Sequence, residues 1–92
     1  MIIELSDPLK KYVKLTQDRQ MVDRFICPVE GCNFTTKLGP GALRMHLLLK
    51  ADPDKESRYC KAHGEFCDDH RSELSLDIVR YLHNLPMVPM ET

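Results

Sequence analysis

The chain has no tryptophan, and its aromatic residues are only three tyrosines and three phenylalanines. In 92 residues that leaves material for one modest core, and chains of this size often lean on a metal, disulfides or a partner to fold securely. No apolar run approaches the roughly 20 residues that a membrane-spanning helix needs, so no membrane role is expected. The opening Met1-Ile2-Ile3-Glu4-Leu5 has no basic stretch ahead of a long apolar run, so no secretory leader is expected either. There is no internal repeat and no low-complexity segment. The expectation is one intracellular domain over residues 1–92, cytoplasmic or nuclear.

Against these absences stand four cysteines, Cys27, Cys32, Cys60 and Cys67, interleaved with His46, His63 and His70. In a chain without a secretory leader such a pattern reads as a metal site before it reads as two disulfides. His83 falls next to the apolar face of a C-terminal helix and reads as a surface or core-edge residue. The net charge is −1 but divided: residues 8–50 hold eight Lys/Arg and three Asp/Glu, and residues 51–92 hold five and nine. A basic first half can lie on phosphates, or can be solvated surface.

The pattern along the chain predicts an α+β domain. Residues 7–24 read as a helix, with Pro8 in its first turn and Leu5, Leu9, Tyr12, Val13 and Thr16 along one side. Residues 25–50 read as a hairpin followed by a helix, the two joined at Gly39-Pro40-Gly41. Residues 51–70 read as a charged, ligand-rich loop holding at most one turn of helix. Residues 71–85 read as a second helix, capped by Ser72, with Leu74, Ile78, Tyr81, Leu82 and Leu85 on one face. Residues 86–92 read as a frayed tail. Phe25, Ile26, Phe34, Leu43, Leu47, Ile78, Leu82 and Leu85 are the expected core.

Within this frame two thiols on a tight turn, Cys27 and Cys32, can share one metal while the chain reverses, and a helix crossing the hairpin can aim His46 at the same point. Residues 25–49 resemble the two-cysteine, two-histidine zinc finger: paired cysteines around Pro28 and the Glu30-Gly31 turn, Phe34 and Thr36 after them, then Leu43 and His46 as Leu-x-x-His. The 13 residues between Cys32 and His46 are one more than usual. The resemblance implies a small zinc-stabilised domain, a finger-like ββα unit with flanking helices, and a structural zinc. It fails at the fourth ligand, because Lys50, Ala51 and Asp52 stand where the second histidine belongs.

Three arrangements supply that ligand. Cys60 can complete Cys27, Cys32 and His46, with His63 as its substitute. Cys60 and His63 can instead pair with Cys27 and Cys32 in the manner of a treble clef, leaving His46 spare. Or a second zinc can draw in Cys67 and His70. Of these, Cys60 as fourth ligand is the leading expectation.

No motif for chemistry is present. Glu65 after His63 resembles a zinc deaminase only superficially, since no Pro-Cys-x-x-Cys follows. Asp68-Asp69-His70 likewise lacks the later histidine of a histidine-metal nuclease. Neither an enzyme nor a small-molecule substrate is expected. Counting back from His46, the base-reading places of a finger helix fall on Gly39, Ala42 and Met45, none of which can make bidentate hydrogen bonds to bases. The leading expectation is a zinc-finger regulator associated with nucleic acid, DNA-binding and acting in transcription, without base readout from the finger helix. Its phosphate contacts would be Lys10, Lys11, Lys14, Lys37, Arg44 and Lys50. The alternative is a zinc-stabilised protein–protein interaction module.

Overall fold

A computed structural model describes residues 2–55 and 57–89. It is an α+β arrangement: α1 (Asp7–Lys10), β1 (Val13–Leu15), β2 (Val22–Ile26), β3 (Thr35–Thr36), α2 (Pro40–Ala51), α3 (Lys61–Asp69), a 3-10 turn (Arg71–Leu74) and α4 (Leu76–His83). The three strands form one antiparallel sheet in the order β1-β2-β3. No helix among the described residues is long and apolar enough to cross a membrane.

The expected helix over 7–24 is instead one helical turn and a hairpin. The helical spacing of Leu5, Leu9 and Tyr12 is real, and all three are buried. From Val13 onward the burial alternates, with Val13 inward and Lys14 outward, as β-branched residues on a strand favour. The turn that reverses the chain is built from polar side chains. The Thr16 hydroxyl donates to Asp18 Oδ1 at 2.6 Å, Gln20 N–H donates to the same carboxylate oxygen at 3.1 Å, and Thr16 N–H donates to Met21 O at 2.9 Å. Arg19 completes the reversal with φ +58°.

The β2–β3 pairing joins Phe25 to Thr36 and Ile26 to Thr35, within the hairpin expected to open residues 25–50. Gly39, with φ +133°, starts α2 from a conformation that side chains rarely adopt, and Pro40 opens the helix. The second half of the segment expected as a ligand-rich loop is α3, nine residues long. The C-terminal helix begins later than expected. Ser75, not Ser72, caps α4, its Oγ accepting from Ile78 N–H at 3.3 Å, and the 3-10 turn precedes it. The tail does not fray where it is described. Val22 N–H donates to Pro86 O at 2.7 Å and Val88 N–H to Val22 O at 3.0 Å, so Met87 bridges β2; residues 90–92 of the expected frayed tail lie outside the described residues.

The core gathers Phe25, Val22 and Leu47, all fully enclosed, with Leu5, Leu9, Tyr12, Val13, Val29, Leu43, Leu74 and Leu82 around them. Phe34, Ile78 and Leu85 pack against its margin, while Ile26, expected inside, stays outside the cluster. A polar bolt ties the first hairpin to the 3-10 turn: Tyr12 O–H donates to Glu73 Oε1 at 2.8 Å, and Lys11 Nζ pairs with the same oxygen at 2.7 Å. The tightest helix pair is α2 with α3, and it is at the β2–β3 end of that pair that four cysteine and histidine side chains meet.

Candidate metal centre

Four side chains from four places in the chain converge. Cys27 follows directly on β2, and Cys32 ends the turn after it, where Cys32 N–H donates to Val29 O at 3.0 Å. Gly31 sits at the third position of that turn with φ +84°, which glycine alone takes without strain. His46 lies midway along α2 and His63 in the first turn of α3. One ligand atom from each of Cys27, Cys32, His46 and His63 lies within 4.8 Å of the others.

Two edges of the cluster are short and alike. His63 Nε2 is 3.5 Å from Cys27 Sγ, and His46 Nε2 is 3.5 Å from Cys32 Sγ. Metal–sulfur bonds near 2.3 Å and metal–nitrogen bonds near 2.0–2.1 Å at the tetrahedral angle give a sulfur–nitrogen edge of about 3.6 Å. The donor set therefore fits a tetrahedral ion. The His63 ring is 4% exposed. Its Nε2 faces Cys27 Sγ, on the side where a metal would bind, and its Nδ1, on the far side, has no hydrogen-bond partner among the described residues.

Burial and neighbouring groups set the orientation and protonation of these side chains. Phe34 stacks flat on the His46 ring, with centroids 3.9 Å apart and planes 4° from parallel, which fixes the imidazole orientation. Burial holds His46 below its ordinary pKa, reinforced by the charges of His63 and Lys50; burial and Lys50 do the same for His63. Both rings thus present lone pairs at neutral pH. Burial also pushes the Cys27 thiol up to about 12, against the Val29 amide, which favours the thiolate. A metal must displace that proton to bind.

Of the sequence-derived ligands, Cys27, Cys32 and His46 come together, and the fourth position falls to His63, the expected substitute, not to Cys60. The reason is where α3 starts. Cys60 is its N-cap, held by its own N–H donating to Lys50 O at 2.7 Å, and its side chain stands outside the cluster. One turn later the helix points the longer imidazole of His63 at the two cysteines.

Cys67 and His70 form no second group among the described residues. Cys67 is buried beneath α2 with its thiol donating to Leu47 O at 3.7 Å, and burial followed by the Asp68 charge raises its pKa. His70 stacks on Phe66 at 4.1 Å, with Nδ1 2.9 Å from Phe66 O. His83 is exposed at the end of α4.

The residues expected to meet phosphates are divided. Lys10 pairs with Asp7 at 3.0 Å, Lys11 with Glu73, and Arg44 Nε donates to Leu74 O at 2.8 Å. Lys14, Lys37 and Lys50 have no ion pair among the described residues.

No protein-family model, no curated protein and no solved structure matches this chain.

Proposed function

We propose that the cluster holds a structural zinc ion and that the domain acts as a zinc-stabilised protein-interaction module, not as an enzyme. The observation that carries this reading is the donor set itself. Two thiolates and two imidazoles suit zinc over the harder, oxygen-seeking cations. Four protein ligands also leave no open position for a substrate or an activated water. The hairpin, then α2, follow one another as in the ββα unit of a finger, with His63 in place of the local second histidine.

A protein partner is favoured over nucleic acid by the outward side of α2. Gly41, Met45 and Leu48 face solvent with Ala42 and Leu49 beside them, and none carries a charge or a base-reading group. Arg44 is spent on Leu74 O. Nucleic-acid association remains the second reading through Lys14, Lys37 and Lys50, the three cations without an ion pair among the described residues.

Two measurements on the zinc-loaded chain test the proposal. Cobalt substitution should give one ion per chain with the visible spectrum of a tetrahedral two-sulfur, two-nitrogen site; a six-coordinate spectrum would refute the closed site. Binding to a random-sequence DNA duplex should be negligible at moderate salt. Tight binding that falls steeply as salt rises would replace the protein-binding reading with the nucleic-acid one.

A further inference from the structure

We infer that Cys27 and Cys32 form a reversible redox switch: a peroxide joins their sulfurs as a disulfide, the site gives up its metal, and α3 is released from the cluster. The inference rests on the metal reading above and names the regulation of that same site.

All four cysteines are free thiols, and two of them stand together. Cys27 and Cys32 belong to the cluster whose ligand atoms lie within 4.8 Å of one another. The turn between them is fixed, with Cys32 N–H donating to Val29 O at 3.0 Å and Gly31 at φ +84°. From there the sulfurs need to approach by less than about 3 Å to reach the length of a disulfide bond. The other two cysteines are placed differently. Cys67 lies beneath α2 with its thiol on Leu47 O, and Cys60 stands outside the cluster as the N-cap of α3.

A metal held by Cys27 and Cys32 keeps both as thiolates, the form that attacks an oxidant. Cys32 is half-buried and Cys27 only 7% exposed, so hydrogen peroxide reaches Cys32 first. The Cys32 thiolate attacks the peroxide, the O–O bond breaks, hydroxide leaves and a sulfenic acid remains. The Cys27 thiolate then attacks that sulfur, the S–O bond breaks, the S–S bond forms and a second hydroxide leaves. Two protons from solvent convert both hydroxides to water, and the two electrons lost by the cysteines are those gained by the peroxide. Two of the four donors are thereby spent, and His46 and His63 alone hold the ion far more weakly.

The loss falls hardest on α3. The turn at Cys32 keeps its hydrogen bond and gains a cross-link. His63 is 4% exposed, its Nδ1 has no partner among the described residues, and its Nε2 then faces an uncharged sulfur. Keeping that ring buried is costly, so the first turn of α3 opens. A thiol reductant restores both thiolates by exchange, and with them the site.

The full zinc-loaded chain treated with hydrogen peroxide tests this. A chromophoric chelator follows the zinc set free, peptide mass spectrometry after alkylation maps the disulfide, and amide hydrogen exchange follows α3. One Cys27–Cys32 disulfide should form for each zinc lost, and exchange should quicken over residues 61–69. A dithiol reductant with added zinc should reverse both. Cys60→Ser and Cys67→Ser should release zinc as the wild type does; if Cys67→Ser fails to fold, Cys60→Ser and the peptide map decide. Zinc retained while Cys60 is oxidised would overturn the inference. So would zinc lost through sulfinic acids or through a disulfide to Cys60 or Cys67, or unchanged exchange over 61–69 in the oxidised chain. A chain that binds zinc and keeps it under peroxide overturns only the switch, whereas a chain that takes up neither zinc nor cobalt overturns the metal reading itself.

Discussion

Exchanging the two candidates for the fourth ligand should have opposite effects. In His63→Ala the cluster loses one of four donors, and the place vacated is buried. Zinc ligation in small fingers is on the order of 10–16 kcal/mol, so an equal share per ligand is about 2.5–4 kcal/mol. At 1.4 kcal/mol per factor of ten, zinc affinity should fall by about a hundredfold or more. Cys60→Ser should do the reverse. Cys60 is the N-cap of α3 and makes no side-chain capping bond, whereas serine is among the best capping residues. The variant should keep its zinc at unchanged or slightly higher affinity and gain up to about 1 kcal/mol of stability. Competition against a chromophoric chelator measures the affinities, and urea unfolding of the zinc-loaded protein measures the stability. If Cys60→Ser loses zinc while His63→Ala retains it, the assignment of the fourth ligand from the cluster geometry is wrong.

Glu73 lies well enough inside the protein that burial alone would raise its pKa, but the hydrogen bonds from Lys11 and Tyr12 outweigh burial and hold it below the ordinary value. Its contribution to stability is therefore present above the ordinary glutamate pKa and lost as pH falls through the depressed one. Glu73→Gln should flatten that acid limb and cost about 1–2 kcal/mol near pH 7, read from denaturant midpoints across pH; an unchanged acid limb would refute the polar bolt. Gly39→Ala should destabilise by about 1–3 kcal/mol because the open backbone region that starts α2 is strained for alanine, and thermal unfolding checks this. Zinc uptake at pH 7 should release at least the Cys27 proton, so titration calorimetry in buffers of different ionisation enthalpy should give different apparent heats, and apparent affinity should rise with pH. Identical heats in all buffers would contradict a protonated free thiol.

Three of the four side chains that cluster were legible from spacing, because a tight turn and a crossing helix impose local geometry on Cys27, Cys32 and His46. The fourth was not, because choosing between Cys60 and His63 required knowing where α3 begins. The segment Cys60-x-x-His63-x-x-x-Cys67-x-x-His70 looks like a run of ligand spacings. It is equally a helical period, with His63, Phe66, Cys67 and His70 at i, i+3, i+4 and i+7, and the fold uses it that way: His63 faces the cysteine–histidine cluster, Cys67 faces the core and the His70 ring lies on Phe66. The first helix failed for the converse reason. Leu5, Leu9 and Tyr12 fit a helical period, and extending it swept in Val13 and Thr16, whose β-branching and the Thr16–Asp18 turn belong to a hairpin. The C-terminal helix was legible as an element, and only its start was misjudged by three residues, because Ser72 and Ser75 are equally good caps and only the 3-10 turn separates them.

Taking the fourth ligand from α3 changes what a metal bound in the cluster would do for the fold. A local finger closes its site within one hairpin and one helix, but here Cys27 and His63 are 36 residues apart, and the intervening linker must be closed before the last bond forms. The entropy of such closure grows only slowly with loop length, so the longer reach costs little extra. It gains a helix that is poorly able to form alone. α3 contains Gly64, ends in Asp68 and Asp69 where the helix dipole disfavours carboxylates, and has no side-chain cap. Nine residues of that composition are too few to be helical in water unaided. The contacts that fix α3 are His63 in the metal cluster, Phe66 edge-on to Tyr12 at 6.0 Å, and Cys67 beneath Leu47. All three lie on one face, and a metal bound in the cluster would anchor that face at its first turn. A metal held by the four side chains would therefore join the second hairpin to α2 and recruit α3 onto both, and α3 in turn shields Leu47 and the buried side of α2.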